Sequence, residues 1–233
     1  MRDRYERLGI VTLLAFVTLL IIGGVTATGG REFASRAVRV TGLDCARSAS
    51  GTGAMVGGDL VLTSGHVVRG IDELTVELPD GDDLVGTVVH LDLDLDVAVL
   101  RVAGLNLPPV SYRDPVAGDS GVIALLDAGD ARPGAAESLP EVIFEPFVVE
   151  RRIRARTENV GRTEVIIRPT LQLASDVEAG DSGGVLFDAD GNAVGLIWST
   201  SRNRKNRAYA VQGGLLPGVL LAAEETPTGP IGC

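Results

Sequence analysis

Cysteine, histidine and aromatic residues are all scarce in this chain: its 233 residues include two Cys, two His, one Trp, three Tyr and five Phe. Cys45 and Cys233 leave one possible bridge, and His66 and His90 leave two possible imidazole bases. Positive charge is also in deficit. Lys and Arg number 21 against 31 Asp and Glu, a formal charge of −10, which argues against nucleic acid as a partner. Helical periodicity is nearly missing, and beyond the N-terminal apolar run only Leu215–Ala223 shows it. No internal repeat is visible. What is present is 45% hydrophobic residues, 30 glycines and charge spread along the whole chain. That composition suits a β-rich globular domain better than a disordered chain.

The N-terminus departs from the rest. "MRDRYER" places Arg2, Arg4 and Arg7 before "LGIVTLLAFVTLLIIGGVTA", which carries no charge from Leu8 to Ala27. About 20 apolar residues are enough to cross a bilayer core as a helix. The basic flank favours a cytoplasmic N-terminus and an exported remainder. A transmembrane anchor over 8–28 is expected, after a basic flank at 1–7. A cleaved signal peptide ending near "VTA" is the alternative. Either way the rest lies outside the cytoplasm, periplasmic or extracellular. In such an oxidising compartment Cys45 and Cys233 suggest a disulfide, with two unpaired thiols as the alternative.

After a linker at 29–36, short β-like segments follow one another: Ala37–Val40, Gly53–Val56, Leu60–Thr63, Leu74–Leu78, Leu84–Leu91 and Val97–Val102. A proline-rich stretch, "LNLPPVSYRDPVAGD" at 105–119, reads as a linker. Six further candidates are Gly121–Leu126, Glu141–Ala155, Thr163–Arg168, Val185–Asp188, Ala193–Ser199 and Arg207–Val211. Two groups of six predict an all-β protein of two antiparallel six-stranded β-barrels, at 37–104 and 120–221. A short helix closes the second barrel and a tail follows at 222–233.

Chemistry concentrates at three places. "VEAGDSGG" sets Ser182 among glycines, which leave its hydroxyl approachable and allow nearby amides to aim at one point. A serine nucleophile needs a base. His66 stands just past the strand-like run Leu60–Thr63, whereas His90 lies mid-strand in "GTVVHLDLDLD" and reads as solvent-facing or hydrogen-bonded. The base needs an orienting carboxylate. Asp92, Asp94 and Asp96 are spaced by two, which puts them on one face of a regular strand. Asp96 opens the apolar run "VAVL" and is the candidate, with Asp92 and Asp94 exposed. "DLDLD" and "DADGN" lack the sixth-position glycine and twelfth-position glutamate of a helix–loop–helix calcium site.

The order His, Asp, Ser in the contexts "VLTSGHVV", "DVAVL" and "GDSGG", with "SGTGAMV" before the histidine, resembles the trypsin/chymotrypsin-like serine peptidases. Within them it resembles the membrane-anchored actinobacterial group that includes the mycobacterial acid-resistance serine protease. The resemblance implies a two-barrel fold with the catalytic cleft between the barrels. It also implies oxyanion donors at the amides of Gly180 and Ser182. It points to a primary specificity pocket with Asp176 at its base and Trp198 and Thr200 on its wall. The departures are Gly65 where alanine is usual, Val185 where proline is common, and one span where those relatives have several. No "IVGG"-type N-terminus follows a basic cleavage site, so the partner of Asp181 is open; Arg36–Ala37 is a conceivable processing point.

The expected protein is thus an exported, membrane-anchored serine endopeptidase acting on polypeptides, with neither metal nor organic cofactor. A catalytically silent peptide-binding or sensor module on the same scaffold is the alternative.

Overall fold

Short β-branched and leucine-rich runs, cut by turn residues, fold as antiparallel strands throughout the described chain. The computed structural model of the protein describes residues 36–44, 47–127 and 140–225. The expected anchor at 8–28 and both cysteines lie outside these residues. Among the described residues no helix is long and apolar enough to cross a membrane.

The first six strands are β1 (Ala37–Asp44), β2 (Arg47–Gly57), β3 (Leu60–Ser64), β4 (Ile71–Glu77), β5 (Asp83–Asp92) and β6 (Val97–Val102). They close in the order β1-β2-β3-β6-β5-β4. A single helical turn, α1 (Gly65–Val68), follows β3. The next six are β7 (Ser120–Asp127), β8 (Glu141–Glu158), β9 (Val165–Ala174), β10 (Val185–Asp188), β11 (Ala193–Thr200) and β12 (Ala208–Gln212). They close in the order β10-β11-β12-β9-β8-β7. A 3₁₀ turn leads into the helix α2 (Leu216–Glu225).

The run "VAVLRV" of β6 shows how sequence sets architecture. Its residues are buried on both faces except Arg101. Ala98, Leu100 and Val102 fill the first barrel. Val97 and Val99 face the other way, into an apolar seam shared with Ala124, Leu126, Val185, Phe187 and Leu196 of the second barrel. A strand buried on both sides reads as a continuous apolar run, not as an alternation. Leu216, Val219 and Ala223 of α2 join the same seam and pack this C-terminal helix back on β5 and β6. The remaining cluster, around Phe147, Leu171, Leu173 and Ile197, fills the second barrel.

The proline-rich segment before β7 is tied to the second barrel. Tyr112 bridges Ala193. Arg113 joins Asp119 and Asp188, each at 2.6 Å. The Gly214 amide donates to Asp114 Oδ1 at 2.8 Å.

Two expectations are corrected. Asp92, Asp94 and Asp96 do not share a strand face, because β5 ends at Asp92 and a turn carries the chain to β6. Asp92 Oδ1 accepts the amides of Asp94 at 3.0 Å and Leu95 at 2.8 Å, an Asx turn that competes with the ladder. Processing at Arg36–Ala37 also meets an obstacle. Arg36 is buried, and its guanidinium donates to the carbonyls of Met55 and Pro108. Ala37 is wholly buried too.

Candidate active site

Register brings His66 and Asp96 together. β3 and β6 are antiparallel neighbours, with Ser64 opposite Val97. The residues just past the end of one and just before the start of the other must therefore meet. His66 Nδ1 lies 2.9 Å from Asp96 Oδ2 and 3.1 Å from Oδ1, and the His66 amide donates to Oδ1 at 2.8 Å. The Gly65 amide donates to the Asp96 carbonyl at 3.0 Å. Asp96 is 4% exposed and has φ 62°, a left-handed conformation that aspartate tolerates better than most residues. Its carboxylate is thus desolvated yet hydrogen-bonded, the condition under which a buried charge is tolerated.

The Ser182 loop is tied to the neighbouring first-barrel segments by one shared acceptor and by one residue that donates twice. The Ile197 carbonyl of β11 accepts Ser64 Oγ at 2.7 Å and the Gly183 amide at 2.8 Å. One oxygen thus binds the chain two residues before His66 and the chain one residue after Ser182. Thr52 makes the second lock. Its amide donates to the Ser182 carbonyl at 2.9 Å, and its hydroxyl to the Gly180 carbonyl at 3.1 Å. A Cβ on Gly51 would fall 2.5 Å from Val67 Cγ2 and 3.0 Å from the Ser182 carbonyl oxygen. Gly51 and Thr52 of the "GTG" motif therefore approach the Ser182 loop closely, while Gly53 packs against β1 and β3 of its own barrel. Gly183 has φ 95°, and a Cβ there would lie 2.0 Å from the Thr52 carbonyl oxygen.

Within the loop, the amides of Asp181, Gly183 and Gly184 are taken by Glu178, Ile197 and Asp181 carbonyls. Among the described residues the amides of Gly180 and Ser182 have no acceptor. Asp181 Oδ2 accepts the Glu178 amide at 2.7 Å, so the carboxylate pins its own loop. The Ser182 hydroxyl is half-buried, and no hydrogen bond joins it to the His66 ring.

The specificity-pocket residues separate. Trp198 lines a cleft of about 540 Å³ with His66, Asp96, Val160, Arg168 and Ser199. Asp176 is exposed and lines a second groove, of about 450 Å³, with Arg39, Glu145, Glu178 and Gly180. Its amide donates to Glu145 Oε1 at 2.9 Å. Thr200 ends β11 half-buried and lines neither groove. Trp198 falls at a register shift between Ile197 and Ser199, a bulge that re-aims a side chain beside the cleft. His90 sits half-buried in β5 at another register shift, and its Nδ1 is buried with no partner among the described residues.

Two groups escaped sequence reasoning. Arg168 of β9 is 2% exposed and crosses between barrels to the Asp96 turn. Its Nε donates to the Asp94 carbonyl at 2.6 Å, and Nη1 lies 3.4 Å from Asp96 Oδ2. Its guanidinium stacks 4.4 Å from the Trp198 ring centroid. Burial pulls this guanidinium down from its ordinary value, opposed by the charges of Asp96, Asp92 and Asp94. The other group is the tip of the β8–β9 hairpin. The Val160 amide donates to the Leu93 carbonyl at 2.9 Å, and Arg69 donates to the Val160 carbonyl at 3.0 Å. A single arginine in the otherwise uncharged strand "VIIRPTLQLA" gives no sign in sequence of which face it takes.

Two closed barrels packed along one apolar seam, with an imidazole–carboxylate pair at the adjoining ends of β3 and β6 and a glycine-framed serine loop before β10, form a chymotrypsin-like fold. The family described as trypsin-like peptidase domain matches residues 51–196, and the chain belongs to that family. It is 30% identical over 190 residues to the serine protease Rv3671c of Mycobacterium tuberculosis H37Rv, covering 81% of this chain and 45% of that protein. It is 29% identical over 172 residues to a probable periplasmic serine endoprotease, DegP-like, of Halomonas elongata, covering 71% of this chain and 33% of that one. The chain thus spans less than half the length of either relative. Among solved structures, the active form of the Rv3671c protease superposes with a TM-score of 0.76 at 26% identity, covering 89% of this chain and 88% of that one. An inactive form of the same protease gives a TM-score of 0.66 at 27% identity, covering 88% and 94%.

Proposed function

We propose that the protein is an exported serine endopeptidase held to the membrane by residues 8–28, with its catalytic cleft outside the cytoplasm. Ser182 Oγ attacks the scissile carbonyl of a polypeptide. His66 takes the proton through Nε2 and returns it to the leaving amine. Asp96 keeps Nδ1 protonated and supports the imidazolium that forms. The amides of Gly180 and Ser182 hold the oxyanion. The Ser182–His66 hydrogen bond closes when substrate arrives, since such bonds are often long in an empty site. A Cys45–Cys233 disulfide belongs to the same reading.

The observation that carries this reading is the Ile197 carbonyl. It joins the His66-bearing and Ser182-bearing segments through bonds of 2.7 and 2.8 Å, and this tie between the two segments supports their acting together. A silent peptide-binding module has no evident need of two unoccupied amides beside a serine.

The test is a serine-reactive phosphonate applied to membranes from cells expressing the full chain. Covalent labelling in the membrane fraction, resistant to a carbonate wash, is expected, and it is lost in Ser182→Ala. A folded wild-type chain that takes no label would overturn the peptidase reading. Label released by the wash would overturn the anchor alone.

A further inference from the structure

Arg168 presents a problem the proposed reaction does not solve. Burying a guanidinium is costly unless its donors and charge are met, and an arginine keeps its proton even there. This side chain is 2% exposed, and it spends its donors on the turn that ends in Asp96. It sits on β9 of the second barrel, whereas Asp94 and Asp96 belong to the first.

We propose that Arg168 is a positioning residue for the Asp96–His66 pair, a role that rests on the reading of Asp96 as the orienting carboxylate. The grip is two-pointed. Nε holds the turn backbone through the Asp94 carbonyl at 2.6 Å, and Nη1 faces Asp96 Oδ2 at 3.4 Å. That oxygen is the one 2.9 Å from His66 Nδ1, so guanidinium and imidazole share it. Asp96 needs such a hold. Its backbone is left-handed at φ 62°, and a residue in that region persists only where surroundings over-determine it.

Trp198 completes the device. Its ring lies 4.4 Å from the guanidinium carbon on the cleft side, and stacking with the flat face of arginine fixes the plane of the fork. The Val160 amide bond to Leu93 braces the same turn from the hairpin tip. Docking of the second barrel therefore sets the geometry of a charge pair carried wholly by the first. Arg168 does not need to touch substrate to act.

The test compares wild type, Arg168→Met and Arg168→Lys on one fluorogenic peptide that the wild type cleaves. Misplacing a catalytic group by about an ångström costs on the order of 100-fold. Arg168→Met is therefore expected to lower kcat by about 10–100-fold and leave KM within about threefold. Arg168→Lys keeps the charge but cannot fork, and its kcat is expected to fall between the two. In the Ser182→Ala background, the low-field His66 Nδ1–H resonance should move when Arg168→Met is added. A folded Arg168→Met enzyme with unchanged kcat overturns the proposal, as does a KM rise that accounts for the whole loss, which would make Arg168 a substrate contact. Should Arg168→Met fail to fold, proton exchange in the wild type decides. The Arg168 Nε–H is expected to exchange far more slowly than those of exposed Arg154 and Arg156, and equal rates overturn the grip. A wild type that cleaves no peptide sinks the peptidase reading, and the exchange measurement then judges the grip on its own.

Discussion

At the scale of single residues, the cleft depends on places where a side chain is forbidden. Gly183 lies in the left-handed region, and a Cβ there would meet the Thr52 carbonyl oxygen at 2.0 Å and Thr63 Oγ1 at 2.4 Å. Neither neighbour can yield, because Thr63 Oγ1 itself donates to the Thr52 carbonyl at 2.7 Å. Gly183→Ala is therefore expected to abolish phosphonate labelling, since the loop must shift and the Gly183 bond to Ile197 must break. It should also lower stability by roughly 1–3 kcal/mol or more. Labelling at the wild-type rate would show that the loop position does not matter. His66, Asp96 and Ser182 stood out as candidates because each has a distinctive local setting: a histidine just past a strand, an aspartate just before one and a serine framed by glycines. Arg168 did not, because one arginine in "VIIRPT" fits a solvated strand face as well as a buried one, and only packing tells the two apart. The arginines Arg152, Arg154 and Arg156 of β8, by contrast, are exposed. Asp176 was placed by position relative to the serine, which carries no information about which way the loop turns.

At the scale of elements, periodicity and turn signals located ten of the twelve strands to within four residues at each end, and β6 and β10 at both ends, whereas β2 begins six residues before its expected start and β9 runs six past its expected end. The misreading at 92–96 has a physical source. Alternation of Asp and Leu satisfies a strand, but an aspartate can cap the amides two and three residues on, and here it does. The segment before β7 was legible as proline-rich, but not as anchored. Arg113 supplies the anchor, bridging Asp119 and Asp188. The Arg113 hydrogen bond holds the Asp119 carboxyl below the usual range. Burial pushes the Asp188 carboxyl up, but hydrogen bonds from Asn192 and Arg113 outweigh it, and the net shift is downward. A carboxylate with a lowered folded pKa stabilises the fold above its unfolded value of about 3.9 and loses that contribution as pH falls through the folded value. Arg113→Met is expected to lower Tm by about 2–4 °C near neutral pH. The gap from wild type should shrink as pH falls below about 4, where the unfolded carboxylates already hold protons. Calorimetry across pH 7 to 3 checks this, and a constant gap would mean that Arg113 acts by packing alone.

At the scale of the whole molecule, two barrels could unfold separately, and a cleft between them would then open before either core failed. The seam argues otherwise. Val97 and Val99 from the first barrel and Val185, Phe187 and Leu196 from the second are each wholly buried in one apolar cluster, which α2 extends across both. The polar locks at Ile197, Thr52 and Arg168 lie along the same boundary, so the candidate site and the seam should be lost together. Phe187 tests this from a position off the cleft: it is 0% exposed on β10 and lines neither groove. Phe187→Ala should cost roughly 3–5 kcal/mol through the lost burial and the cavity left behind. The expected result is one calorimetric transition at lower temperature, with loss of phosphonate labelling following the same curve as loss of near-ultraviolet circular dichroism. Two resolved transitions, or labelling lost well before the tertiary signal, would show that the barrels melt independently. The inter-barrel hydrogen bonds would then be contacts of convenience between two stable halves, and the coupling of fold to cleft argued from the seam would fail.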